Sequence, residues 1–137
     1  MRRSEASKKL DTSLLQGRRF KLWHYLASHS HLLIRSSIDV RETTNIDLWF
    51  VNVRYVELGV YLGEVSLDEP TEEERARLRV HDEFLDQKQI TVIVSDVGRS
   101  LVVSSLVHIE ENTLDLFETP YGSAGGLSGG IGNLPRV

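Results

Sequence analysis

The sequence predicts an α+β fold: a mostly antiparallel sheet of about six strands, strongly bent or partly closed, with one helix packed on a face. Three observations carry this prediction. Phe20 to Leu67 reads as a succession of short extended segments, rich in aromatic and branched residues and divided by polar or glycine breaks. Thr71 to Lys88 carries helix signals, and Gln89 to Phe117 returns to the alternation of a half-buried strand.

The first two strands form a hairpin. Phe20–Leu26 is aromatic and apolar, Ser28-His29-Ser30-His31 interrupts it, and Leu32–Arg35 resumes. Pairing Ser28 with His31 sets Leu26 opposite Leu33, Tyr25 opposite Ile34 and His24 opposite Arg35. Trp23, Tyr25, Leu32 and Ile34 then share one face. Phe20, Leu22, His24, Leu26, Leu33 and Arg35 share the other. Both faces are largely apolar, so the hairpin is expected at the centre, covered on both sides; a slip by one residue would exchange them.

Arg41–Asn45 reads as a loop and Ile46–Val51 as the third strand. Asn52 is expected at a turn or bulge, because Asn tolerates positive φ. Val53–Leu58 is the fourth strand, Gly59 a break, and Leu62–Leu67 a fifth strand suited to an edge. In the helix, Thr71 and Glu74 match a capping box behind Pro70, with Asp68 as a rival N-cap. Glu72, Glu73 and Glu74 favour the positive end of the helix dipole. Val80, His81, Phe84 and Leu85 make an apolar stripe, and Glu73–Arg77 and Arg79–Glu83 are ion pairs for the wet side. Ile90–Val94 alternates, Asp96–Arg99 turns around Gly98, and Leu101–Ile109 is the sixth strand of the main pattern, with Leu114–Phe117 as a short last one.

The body from 18 to 119 is read as one domain, enough chain to bury a core without staples. Residues 1–17 form a basic, flexible leader in which Leu10, Leu14 and Leu15 can make a helical turn against the body. Residues 120–137 form a Gly/Ser-rich flexible tail.

The chain has no cysteine, which excludes disulfides, thiolate zinc sites and a cysteine nucleophile. No apolar run approaches the ~20 residues of a membrane span, and Met1–Lys9 lacks the apolar core of a secretory signal; the expected location is cytoplasmic. Residues 1–21 hold seven Lys/Arg and two Asp/Glu, whereas the remainder holds nine and eighteen. An acidic body repels phosphate backbones, so neither nucleic acid nor membrane is an expected partner.

Gly126, Ser128 and Gly130 spell G-x-S-x-G, but the nucleophile elbow needs a strand before Ser and a helix after it. Neither pattern flanks Ser128, and the match is read as composition. His29 and His31, with His24 or Asp47, are the residues that suit a metal. Arg35 stands where a carboxylate ligand would help, and the competing reading is a polar hairpin tip. His24 with Arg35 makes a candidate anion site, set against a structural pairing of Arg35 with Asp47 or Glu57. Asn45 and Asp47 either line a pocket or cap a loop. Trp23, Tyr25, Trp49 and Tyr55 form either a recognition surface or half-buried sheet.

With no activated nucleophile in view, the sequence points to a small non-enzymatic protein-interaction domain of adaptor, immunity or regulatory type, with Trp23, Tyr25, Arg35, Asp47, Trp49 and Tyr55 as candidate binding residues. A protein partner is expected, and homo-oligomerisation through a sheet face or edge is a further possibility. No cofactor is predicted. The alternative is a metal- or anion-dependent enzyme, or a small-ligand binder, centred on the His29/His31 tip.

Overall fold

The structure, a computed structural model, describes residues 10–123, the last of them by its backbone alone. Most of the basic leader, most of the Gly/Ser tail and the Gly126/Ser128/Gly130 motif lie outside the described residues. The fold is α+β, with mostly antiparallel strands and one α-helix. The strands are β1 (Phe20–Leu26), β2 (His31–Ser36), β3 (Asn45–Val51), β4 (Tyr55–Glu57), β5 (Tyr61–Gly63), β6 (Val65–Asp68), β7 (Gln89–Ser95), β8 (Gly98–Ser104), β9 (Leu106–Asn112), β10 (Glu118–Thr119) and β11 (Gly122–Ser123); the helix α1 is Glu72–His81.

They form a five-stranded sheet, β5-β1-β2-β3-β9, and a four-stranded sheet, β4-β8-β7-β6, with β10 and β11 as a separate ribbon. The ladders make two sheets rather than a closed barrel. The chain passes between them four times, and three of the corners have a local cause. Asn52 takes φ 58° between β3 and β4, as the sequence predicts, and its side-chain amide donates to Ser105 Oγ at 2.7 Å, beside the break between β8 and β9. Leu101–Ile109 is therefore two strands. Gly63, at φ 78°, turns β5 into β6; this left-handed conformation favours glycine, and a Cβ there would also have to displace the Asp96 carboxylate. Leu62–Leu67 is accordingly divided as well.

Two apolar cores result. Phe20, Leu32, Ile34, Leu48, Phe50, Ile93 and Val102 pack between the sheets, joined by Leu15 from a 3₁₀ turn at Thr12–Leu15. Leu78, Leu85, Ile90, Val92, Leu101 and Val103 pack beneath α1 on the outer face of the four-stranded sheet. Burying such side chains stabilises the fold by roughly 1.5–3 kcal/mol each before conformational entropy is counted.

The capping box is present: Thr71 Oγ1 accepts from the Glu74 N–H, and the Glu74 carboxylate accepts from the Thr71 N–H. The apolar stripe is corrected. The helix ends at His81 with Asp82 as C-cap, so Phe84 lies beyond it. Val80 is 84% and Phe84 56% exposed, while Leu78 and Leu85 face the sheet. Among the described residues the expected pairs Glu73–Arg77 and Arg79–Glu83 give way to others: Arg77 reaches Glu57 on β4, and Arg79 bridges Glu72 of the same helix and Asp86 beyond it.

The hairpin register also differs. Leu26 pairs with His31, Tyr25 with Leu32 and His24 with Leu33; a bulge at Trp23 then shifts the ladder, so that Leu22 pairs with Ile34 and Lys21 with Arg35. Ser30, at φ 55°, completes the four-residue turn Ala27–Ser30. Phe20, Leu22, Leu32 and Ile34 consequently face the inter-sheet core, while Leu33 is buried outside both cores.

Candidate functional site

The outer face of the five-stranded sheet gathers most of the polar candidates. β2 and β3 pair in a register that sets Arg35 opposite Asp47. Both side chains are fully buried and meet in two hydrogen bonds, Nε to Oδ1 at 2.7 Å and Nη2 to Oδ2 at 3.0 Å. Asn112 Nδ2 donates to Asp47 Oδ2 at 2.9 Å. Arg35 Nη2 also donates to the Glu118 carbonyl at 2.9 Å, and Nη1 to that of Asp115 at 3.4 Å. Trp23 lies against the guanidinium, 5.4 Å from its ring centroid, and its indole N–H donates to the Leu116 carbonyl. The segment from Thr113 to Tyr121 is thus strapped across the sheet by Arg35 and Trp23. Asn45 adds a third tie: its Nδ2 donates to Asn112 Oδ1 and to the Leu114 carbonyl, and its Oδ1 accepts from Ile38 N–H.

Tyr121 closes the far end. Its ring stacks on His31 with centroids 4.5 Å apart and lies against Trp49, and its hydroxyl shares a 3.0 Å hydrogen bond with His24 Nδ1. Burial and the Asp47 carboxylate push the Tyr121 phenol well above its ordinary range, partly offset by Arg35. Trp49 Nε1 donates to His31 Nδ1 at 3.0 Å. An indole only donates, so that nitrogen of His31 carries no proton. Burial, and secondly the His29 imidazole, hold His31 below the usual imidazole range.

This arrangement bears on two expected chemistries. His24 does not oppose Arg35, and Arg35 is neutralised by Asp47, so the anion pair is not formed. The His29 and His31 rings stack, with centroids 6.4 Å apart, but the Nδ1 of each is engaged, by Ser28 Oγ and by Trp49. Among the described residues no group of three or more His, Cys, Asp or Glu side chains is arranged to hold a metal ion. A cavity of about 340 Å³ beside Trp23 and Arg35 is lined also by Ile38, Asn45 and Leu114. Tyr25 lines a different one.

That second opening is apolar. Leu22 and Tyr25 from β1, Leu32 from β2, and Val53, Arg54, Tyr55 and Val56 around β4 line a groove of about 360 Å³. It is the side of the inter-sheet core that the strands leave uncovered. β1 pairs with β5 only at Phe20 and Lys21, and Leu22 N–H reaches the Val60 carbonyl; beyond that its outer edge has no strand partner among the described residues. β4 pairs with β8 on one side alone. Tyr25 is 48% and Val56 38% exposed there, although their neighbours Leu32 and Val53 are core. Tyr55 forms the rim: its hydroxyl donates to Glu57 Oε2 at 2.7 Å and receives His81 Nε2 at 3.2 Å, while Arg77 holds the same Glu57 carboxylate.

The structure thus divides the expected aromatic set. Trp23 and Trp49 lie half-buried beneath the strap, and Tyr25 and Tyr55 line the groove. Sequence reading did not single out Tyr121, His108, whose ring lies tilted against Trp49, Arg54 or Val56. A lone bulky aromatic inside a glycine-rich stretch is a usable signal for Tyr121. Nothing in the sequence marks Val56, because its exposure depends on which strands leave β4 unpaired.

No family model, curated protein or solved structure matches the chain. No helix among the described residues is long and apolar enough to cross a membrane.

Proposed function

We propose that this protein is a small non-enzymatic binding domain that captures a protein partner through the groove between β1 and β4. The observation that carries the reading is the groove itself: an apolar opening into the inter-sheet core, walled by the partly paired outer edge of β1 and the free edge of β4 and rimmed by Tyr25 and Tyr55. Exposed apolar surface beside unpaired backbone is costly to leave in water, and tyrosines at its rim are the residue type that most often anchors protein interfaces. The polar face offers a weaker alternative. Its hydrogen-bonding groups are committed to one another and to the strap, leaving little with which to grip a substrate.

The test is affinity capture with the tagged full-length chain at low and moderate salt, comparing wild type with Tyr25→Ala. A stoichiometric partner that survives moderate salt and is lost with Tyr25→Ala supports the reading. A partner held equally by both proteins removes the groove from it. Recovery of the chain alone, carrying a metal ion or small molecule, favours the ligand-binding alternative.

A further inference from the structure

Resting on that protein-binding reading, we infer that the partner enters the groove as a short extended strand. It adds to the free edge of β4, places apolar side chains between the two sheets and sets an acidic side chain against Arg54. β4 spans only Tyr55–Glu57, and its outward backbone N–H and C=O groups face the groove without a strand partner among the described residues. An added strand would satisfy them, and its side chains would alternate across the new ladder. One set would point inward onto Leu22, Tyr25, Leu32 and Val53, extending the core that Val56 now exposes.

The opposite wall is a poorer template. β1 carries a bulge at Trp23, and a bulge twists an edge away from continued pairing. A helix fits less well, because its backbone groups are already paired and would leave the β4 edge unmet. The groove is also short, closed at one end by the Ser30–Val53 backbone hydrogen bond and at the other by that of Leu22 with Val60.

Charge gives the remaining specificity. Arg54 is exposed at the groove and makes no ion pair or side-chain hydrogen bond among the described residues. The neighbouring Arg77 is occupied by Glu57. Arg54 is therefore the uncommitted cation at the rim, and an acidic residue pointing outward from the added strand meets it.

The inference is tested with a displayed library of random twelve-residue peptides panned on the full-length protein, followed by synthesis of the enriched sequences. Enriched peptides are expected to alternate apolar and polar residues and to carry an acidic one. N-methylation of alternate peptide amides should weaken binding by about tenfold or more, while methylation of the intervening amides should not. Arg54→Glu, at an exposed site that does not threaten folding, should exchange the acidic preference for a basic one. Helical spacing in the enriched peptides, or N-methylation without effect at every position, overturns strand addition but leaves a groove-binding protein. Enrichment unchanged on a folded Val56→Asp variant overturns the groove, and with it the functional reading. A symmetric dimer through β4, seen by sedimentation, would replace the separate partner with a second copy and overturn its assignment.

Discussion

The two surfaces of the five-stranded sheet solve opposite problems. Its outer face buries charge: Arg35, Asp47, Asn45 and Asn112 satisfy one another, and the strap from Thr113 to Tyr121 shuts them from water. Its inner face is ordinary apolar core, yet at the β1–β4 side that core is left ajar, with Tyr25 and Val56 in solvent. The polar cluster carries more of the chemistry of an active site, but its hydrogen bonds are made within the chain. The bland apolar opening has unmet surface, and unmet surface is what a partner can use.

The contrast can be broken or sharpened by experiment. Asp47→Ala should have the largest effect, lowering stability by about 3–5 kcal/mol by stranding the buried Arg35 charge; urea unfolding measures it, and a loss below about 1 kcal/mol would mean the pair is solvated and available to ligands. Leu78→Ala should cost about 2–4 kcal/mol through the cavity left beneath α1, with the groove unaffected. Thr71→Ala removes half of the capping box and should cost about 1 kcal/mol in the same assay.

Acidification sharpens the comparison further through two groups that lie away from the groove, His31 and Glu74. His31 has a lowered folded-state pKa, so the unfolded chain binds its proton first. Stability is then full above the ordinary imidazole range and falls as pH drops through it. Protonation of the folded protein, which comes below the ordinary imidazole range, also removes the acceptor for Trp49, so tryptophan fluorescence should change there, and a flat response would contradict the assigned hydrogen bond. Glu74 is held at about 2, chiefly by hydrogen bonding to Arg99. Its contribution is present above the ordinary carboxylate range and is lost as pH falls towards that value. Smallest of all, Tyr25→Ala should change stability by no more than about 0.5 kcal/mol, while weakening partner capture by tenfold or more; an equal loss of both would make the tyrosine structural.

The sequence was legible where the cause is local. The Thr71–Glu74 capping box needs only residues three apart, and Asn52 needs only its own tolerance of positive φ. Arg35 and Asp47 were both visible as candidates, and their pairing was one of two options; the β2–β3 register chose it. Where two local solutions competed, the reading went astray. A turn at Ala27–Ser30 with a bulge at Trp23 replaced the tighter Ser28–His31 pairing, and this moved Trp23 to the face opposite Leu22 and Ile34. The helix stripe failed for a related reason: Leu78 and Val80 are equally apolar, and only the position of the sheet decides which is buried.

By itself, then, the sequence determined most of the element types, the helix start, the Asn52 corner and the absence of thiol chemistry, since each follows from residues near one another in the chain or from composition. The tertiary structure alone decided that the strands divide into two sheets, that Tyr121 returns to cover His31, and that the free edge of β4 and the far end of β1 line one groove. Those outcomes depend on contacts between residues far apart in sequence, where many registers satisfy the same local pattern and only the joint packing of all strands selects one.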